Sequence, residues 1–254
     1  MFEKITTLEG KEKGPTSMIL AGVHGNEPCG VKAFKKMLPT LKIQKGRVFF
    51  GYGNPRAIKA NVRFVESDLN RMFKGNAFLS TGNKKSYEYK RAQVLKKYFK
   101  QADVLLDLHS SRNPKSKTFA ICEADSFSTT KYLPVKLVVS GFDKVQPGGT
   151  DYYMNHIGKI GICIECGQHN DPKSVKRAEN AITAFLKARG HITNDLKPKR
   201  QFHMNVYRMY VTKTSNFTLA KYFEDFQKVS KGQIIGTDGN KKVRSKRDSV
   251  ILFS

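Results

Sequence analysis

Short apolar runs that alternate with helical stretches constrain the fold of this chain more than any other feature. Residues 18–23, 48–52, 104–108, 118–122, 136–140 and 161–166 are mostly apolar and of strand length. Between them, residues 27–38, 87–100 and 172–189 repeat apolar side chains at helical spacing. In the last stretch Val175, Ala178, Ala181, Ile182, Phe185 and Leu186 share a face, and Gly190 stands where a helix stop belongs. Buried strands alternating with helices predict an α/β sheet covered on both faces. The chain has 254 residues, enough for one such domain and a small appendage. After Gly190 the texture changes. A polar, charged stretch leads into short alternating segments in which Gly232, Gly236 and Gly239 mark turns. The expected division is an α/β domain over residues 1–198 and a small β-rich unit over residues 199–254.

The residues with chemistry fall where strands end. The string G-V-H-G-N-E-P follows the first apolar run and carries His24 and Glu27, and Pro28 suits the first turn of a helix. Far downstream, D-L-H-S-S places His109 at the carboxyl end of the run 104–108. Open α/β sheets bind ligands outside the carboxyl ends of their strands. Two imidazoles and one carboxylate fill three positions around a zinc ion and leave the fourth for water. An open position makes the ion a catalyst. His24, Glu27 and His109 are therefore the expected ligands of one Zn2+ per chain. The alternative, two surface histidines on unrelated loops, does not account for both falling at strand ends.

The formal net charge is +25. A basic surface binds phosphate by releasing counterions. However, only 12 of the 46 basic residues are Arg, and the lysines are spread along the whole chain. No helix-turn-helix, zinc-finger or RNP-type motif accompanies them. The charge reads as a solvated surface that attracts anions weakly, and no specific nucleic-acid partner is expected. No run approaches the ~18–20 apolar residues of a membrane span, and the first residues lack an apolar core of signal-peptide type. No membrane partner and a cytoplasmic location are expected. Cys29, Cys122, Cys163 and Cys166 lack framework spacing, which fits a reducing compartment. Cys163 and Cys166 have C-x-x-C form, but residues three apart on a strand face opposite ways. The oligomeric state stays open.

Five strings, G-V-H-G-N-E, N-P-R-A, D-L-N-R-M-F, D-L-H-S and I-E-C-G, occur in this order across residues 22–167. Together they resemble the succinylglutamate desuccinylase/aspartoacylase family of zinc deacylases. The implied fold is zinc-carboxypeptidase-like: a central mixed sheet flanked by helices, with a small C-terminal all-β domain. The strings K-V-S-K-G-Q-I-I-G and V-I-L-F resemble that second domain. The implied activity is hydrolysis of the amide bond of an N-acyl amino acid. The resemblance implies His24, Glu27 and His109 as zinc ligands and Glu165 as general base. It implies that Arg63 polarises the scissile carbonyl, and that Asn70 and Arg71 hold the amino-acid carboxylate.

Two of these roles also fit the residues taken alone. Glu165 ends a buried strand, where desolvation raises a carboxylate toward the range of a general base; the alternative is a buried Glu paired with an arginine. Arg71 offers a planar fork that matches a carboxylate; the alternative for Arg63 and Arg71 is simple surface charge, and only the D-L-N-R string counts against it. The sequence departs from the family in one place. The aspartoacylase branch has an Arg, upstream of the catalytic Glu, for a second substrate carboxylate. That place falls at or near Asn155 here, and neither Lys nor Arg occurs between Gly148 and Gly158. Tyr152 and Asn155 are the substrate contacts expected there, with broader specificity than N-acetylaspartate. A metallocarboxypeptidase acting on short peptides or cell-wall fragments would use the same ligands and base. A basic binding protein on a retired hydrolase scaffold is the third possibility, and the retention of every ligand and of Glu165 counts against it.

Overall fold

The computed structural model describes residues 3–253. Eight strands form the central sheet: β1 (Thr6–Glu9), β2 (Glu12–Ala21), β3 (Lys45–Tyr52), β4 (Val104–Ser111), β5 (Thr118–Cys122), β6 (Leu137–Ser140), β7 (Ile160–Gln168) and β8 (Phe202–Asn205). Their spatial order is β1-β3-β2-β4-β7-β5-β6-β8. The inner strands β3, β2, β4 and β7 run parallel, while β1 and β5 pair antiparallel with β3 and β7, so the sheet is mixed.

Alternation along each strand assigns side chains to two buried faces. On β2, Ile19 and Ala21 join one core while Met18 and Leu20 join the other. Helices α1 (Pro28–Met37) and, late in the chain, residues Pro172–Ala188 cover the first face through Phe34, Ala181, Ile182 and Phe185. Residues Tyr87–Phe99 and Thr150–His156 cover the second through Leu95, Phe99, Tyr153 and Met154. In chain order, with the short helix Pro55–Ala60 as α2, these become α3 (Tyr87–Phe99), α4 (Thr150–His156) and α5 (Pro172–Ala188).

The six expected strands and three expected helices are present, with ends shifted by a few residues. The edge strands β1 and β8 escaped the reading because they are short and largely exposed, with no apolar run to reveal them. Residues 202–205, assigned from sequence to the C-terminal unit, extend the central sheet instead by pairing parallel with β6. Beyond them, β9 (Phe217–Leu219), β10 (Gln227–Val229), β11 (Ile234–Asp238), β12 (Lys241–Arg244) and β13 (Ser249–Ile251) form two small antiparallel sheets. This segment packs on the second face of the main sheet. The Phe119 ring of β5 meets Phe226 edge-on at 5.0 Å and lies 5.8 Å from the Phe253 ring. Among the described residues, no helix is long and apolar enough to cross a membrane.

Candidate active site

The carboxyl ends of β2, β4 and β7 meet at one point. His24 and Glu27 lie in the turn between β2 and α1, and Gly25 lets that turn approach α2. A Cβ on Gly25 would fall 2.0 Å from the Ala57 carbonyl carbon, so only glycine fits there. His109 and Glu165 are paired positions on adjacent strands. They share the second face with Asp107 and Cys163, while Leu108, Ile164 and Cys166 point to the opposite core.

His24 Nδ1 lies 2.7 Å from Glu27 Oε1, and His109 Nδ1 lies 2.9 Å from Glu27 Oε2. One ligand atom from each of the three residues lies within 4.8 Å of the others, and all three side chains are buried. The far nitrogens are held too. His24 Nε2 faces Asp68 Oδ1 at 3.2 Å, and His109 Nε2 faces Asp107 Oδ2 at 3.0 Å. A carboxylate on the outer nitrogen fixes tautomer and ring orientation, as in the carboxylate–histidine pairs around protein-bound zinc. Two nitrogens and one carboxylate, each aimed by an outer partner, form a donor set that fits zinc. Asp107 is itself anchored by the Thr150 hydroxyl, which donates to Oδ2 at 2.6 Å. The Cys29 thiol donates to the His109 carbonyl at 3.3 Å.

Electrostatics follow from this crowding. Burial works against ionised His24 and His109, but the carboxylates beside them prevail, and both rings end above their ordinary pKa. Glu165 goes the other way. Burial first, then the Glu27 carboxylate, push it up to about 7, against the pull of His109 and His24. The buried Asp225 of the C-terminal segment adds to that push. Glu165 is 8% exposed, and its Oε2 has no hydrogen-bond partner.

These groups open onto a cavity of about 540 Å³. Arg63 Nη1 is 3.5 Å from Glu27 Oε1 and Nη2 is 3.4 Å from Asp68 Oδ2. The loop that carries Arg63 is fixed from behind. The buried Glu88 carboxylate accepts the backbone N–H groups of Val65, Glu66 and Ser67 and the Asn54 side-chain amide. Asn70 and Arg71 follow Asp68 in a single helical turn and line the same cavity. Arg71 Nη1 donates to the Asn70 carbonyl at 2.6 Å, and Asn70 Oδ1 accepts the Thr150 N–H at 3.2 Å.

Tyr152 and Asn155, expected at the substrate, are not among the cavity-lining residues. Tyr152 stacks on His156 with ring centroids 5.7 Å apart. The Asn155 amide is spent on Asp143 Oδ2 at 2.9 Å and the Gly161 N–H at 3.0 Å. Both sit in the outward part of α4, whose first turn faces the cavity. That turn supplies Thr150 and Asp151 instead. Several lining residues were not anticipated: Asp143, Arg112, His169, Tyr222 and Phe253. His169 Nδ1 lies 2.9 Å from Ser110 Oγ. Asp107 carried a usable signal, because two residues before His109 on a strand is the same face. Asp68, His169 and Tyr222 arrive through loops, and local periodicity cannot reveal them.

The fold is a mixed α/β sheet that gathers a buried His/Glu/His set suited to a metal ion at its parallel strand ends. Residues 13–192 match the model of the succinylglutamate desuccinylase/aspartoacylase catalytic domain. The chain belongs to the succinylglutamate desuccinylase/aspartoacylase family. It is 27% identical over 204 residues to a succinylglutamate desuccinylase of Pseudomonas aeruginosa, covering 72% of this chain and 61% of that one. It is 30% identical over 177 residues to an N-acyl-aromatic-L-amino acid amidohydrolase (carboxylate-forming) of Xenopus tropicalis, covering 64% and 56%. The chain thus spans less than two thirds of the length of these relatives. In fold it resembles the succinylglutamate desuccinylase of Vibrio cholerae, with TM-score 0.80, 20% identity and coverage of 96% and 78%. It also resembles a succinylglutamate desuccinylase/aspartoacylase of Rhodobacter sphaeroides, with TM-score 0.73, 20% identity and coverage of 98% and 82%.

Proposed function

We propose that this protein is a zinc-dependent amidohydrolase that cleaves an N-acyl amino acid to a carboxylic acid and a free amino acid. The observation that carries this reading is the convergence of His24, Glu27 and His109 beside a Glu165 carboxylate with an unpaired oxygen. When bound there, a zinc ion supplies Lewis acidity and lowers the pKa of a water molecule toward neutrality. Glu165, held near 7, accepts a proton from the attacking water and returns it to the leaving nitrogen as the C–N bond breaks. Arg63 donates to the oxygen on which negative charge develops. Asn70 and Arg71 hold the carboxylate of the amino-acid part. Asp68 and Asp107 keep the two imidazoles aimed at the metal position.

A metallocarboxypeptidase would share ligands and base. Tyr222 and Phe253 line the cavity from the C-terminal segment, and the D-L-N-R string and that β-rich segment favour the deacylase. The test is amine release from N-acetyl and N-succinyl amino acids and short peptides by zinc-loaded protein. Hydrolysis of one acyl-amino-acid class supports the deacylase. C-terminal trimming of peptides without acyl-amino-acid cleavage moves the chain to the peptidase reading.

A further inference from the structure

One wall of the cavity is acidic in an otherwise basic protein. Its floor is formed by Cys163 of β7 and Ile121 of β5, which are paired positions. Two carboxylates flank that floor: Asp151 from the first turn of α4, and Asp143 from the short turn Phe142–Val145. Asp143 accepts the Asn155 amide, and Asp151 accepts the N–H of Tyr152. Among the described residues, neither carboxylate makes an ion pair with Lys or Arg. The Glu165 Oε2, buried and unpaired, faces the same volume.

Three guanidiniums also line the cavity, and among the described residues none makes an ion pair with Asp143 or Asp151. Arg63 bridges Glu27 and Asp68, and exposed Arg112 stands near His169. Arg71 lies close enough to Asp151 for its charge to be felt, without contact. Gly149 keeps the space between them open. A Cβ there would come within 2.5 Å of Asp151 Oδ1 and 3.3 Å of Asn70 Oδ1. A carboxylate site at Asn70 and Arg71 therefore adjoins a cation site at Asp151 and Asp143.

We infer that the substrate carries a protonated amine as well as its carboxylate, so that the site takes an N-acyl diamino acid. The inference rests on the deacylase reading for its scissile bond and on the acidic wall for its selectivity. A second carboxylate on the substrate would meet Asp143 and Asp151 as like charges in a low-dielectric space. An ammonium would relieve them. Burial holds both carboxyls up, with the Glu123 charge adding at Asp143 and the Asp143 charge adding at Asp151, which stands at about 6; a cation relieves that penalty.

The test compares Nα-acetyl-lysine and Nα-acetyl-ornithine with the uncharged Nα-acetyl-norleucine and with N-acetyl- and N-succinyl-glutamate, using zinc-loaded protein. We expect kcat/KM for the amine-bearing pair to exceed that for the norleucine compound by about tenfold or more. Asp151→Asn should erase most of that preference, read as the ratio of kcat/KM for the amine-bearing pair to that for the norleucine compound. Asp143→Asn serves as the second variant. Calorimetric binding of ornithine and norvaline is read in parallel. Faster cleavage of the neutral or acidic compounds overturns the inference and leaves the deacylase standing. If nothing is cleaved but ornithine binds more tightly than norvaline in an Asp151-dependent way, the acidic wall stands as an ammonium site, while the deacylase reading and with it the N-acyl diamino acid substrate are overturned. Equal binding with no cleavage overturns both.

Discussion

His109 and Glu165 are cross-strand neighbours: the register of β4 against β7 sets the His109 imidazole and the Glu165 carboxylate side by side on the same face. The two side chains need no loop to bring them together, so their separation is as rigid as the sheet. That rigidity suits a base that must meet a water molecule held next to it.

Glu165→Gln should lower kcat by roughly 10²–10⁴-fold while leaving zinc content, read by atomic absorption, at the wild-type level. Parallel loss of metal would make Glu165 a ligand instead. The wild-type pH profile carries the same information. Only ionised Glu165 accepts a proton, so kcat/KM should rise with pH through an acidic limb. The carboxyl stands at about 7, and a nearby metal dication lowers it further. The limb should therefore lie at or below pH 7, and activity that rises only above pH 8 would reject the assignment.

Asp107→Asn and Asp68→Asn should each weaken zinc binding by about 10–100-fold, measured by competition with a chromogenic chelator. Neither residue belongs to the His/Glu/His set, but each holds the outer nitrogen of one imidazole. Unchanged affinity in both variants would show that the rings are fixed by packing alone.

Asp151 lends itself to a stability measurement. Burial and then the neighbouring acids raise its pKa from 3.8 to about 6 in the folded chain. The folded state binds the proton more tightly, so the stability contribution is complete below about pH 4 and is lost as pH rises through 6. At 1.36 kcal/mol per pH unit, the loss is at most about 3 kcal/mol. Asp151→Asn carries no such penalty. In urea melts it should match the wild type near pH 4 and exceed it at pH 7.5. A stability difference that stays constant from pH 4 to 7.5 would refute the titration.

Glu88→Ala should cost about 2–4 kcal/mol of stability, because it leaves the N–H groups of Val65, Glu66 and Ser67 and the Asn54 amide without their acceptor. The freed loop carries Arg63 and Asp68, so the surviving folded protein should also show reduced kcat. Full kcat at reduced stability would mean that the loop keeps its shape without Glu88.

The legible part of this chain is the part written in periodicity. Continuous apolar runs such as 18–23 and 104–108 mark the sheet, its buried strands and the places of His24, His109 and Glu165 near the strands' carboxyl ends. Opposed orientation of Cys163 and Cys166 followed from the same rule and is observed, one in the cavity wall and one in the far core. The illegible part depends on where loops land. Asp143 and Asp151 are separated from Arg71 by three strands of the sheet in sequence, yet border the same space. Tyr152 and Asn155 lie outside the cavity lining because helical geometry turns the neighbouring Thr150 and Asp151 inward, and the motif strings do not record that rotation.

The inward carboxylates of a chain whose net charge is +25 separate two effects of salt. A lysine-rich exterior acts across solvent, and at physiological ionic strength its reach is about 8 Å. Added salt shortens that reach and slows the arrival of any carboxylate-bearing molecule. In the proposed cation site Asp143 and Asp151 act at contact range, inside the cavity they line. Ionic strength should therefore scale the capture of all substrates together and leave their ranking unchanged.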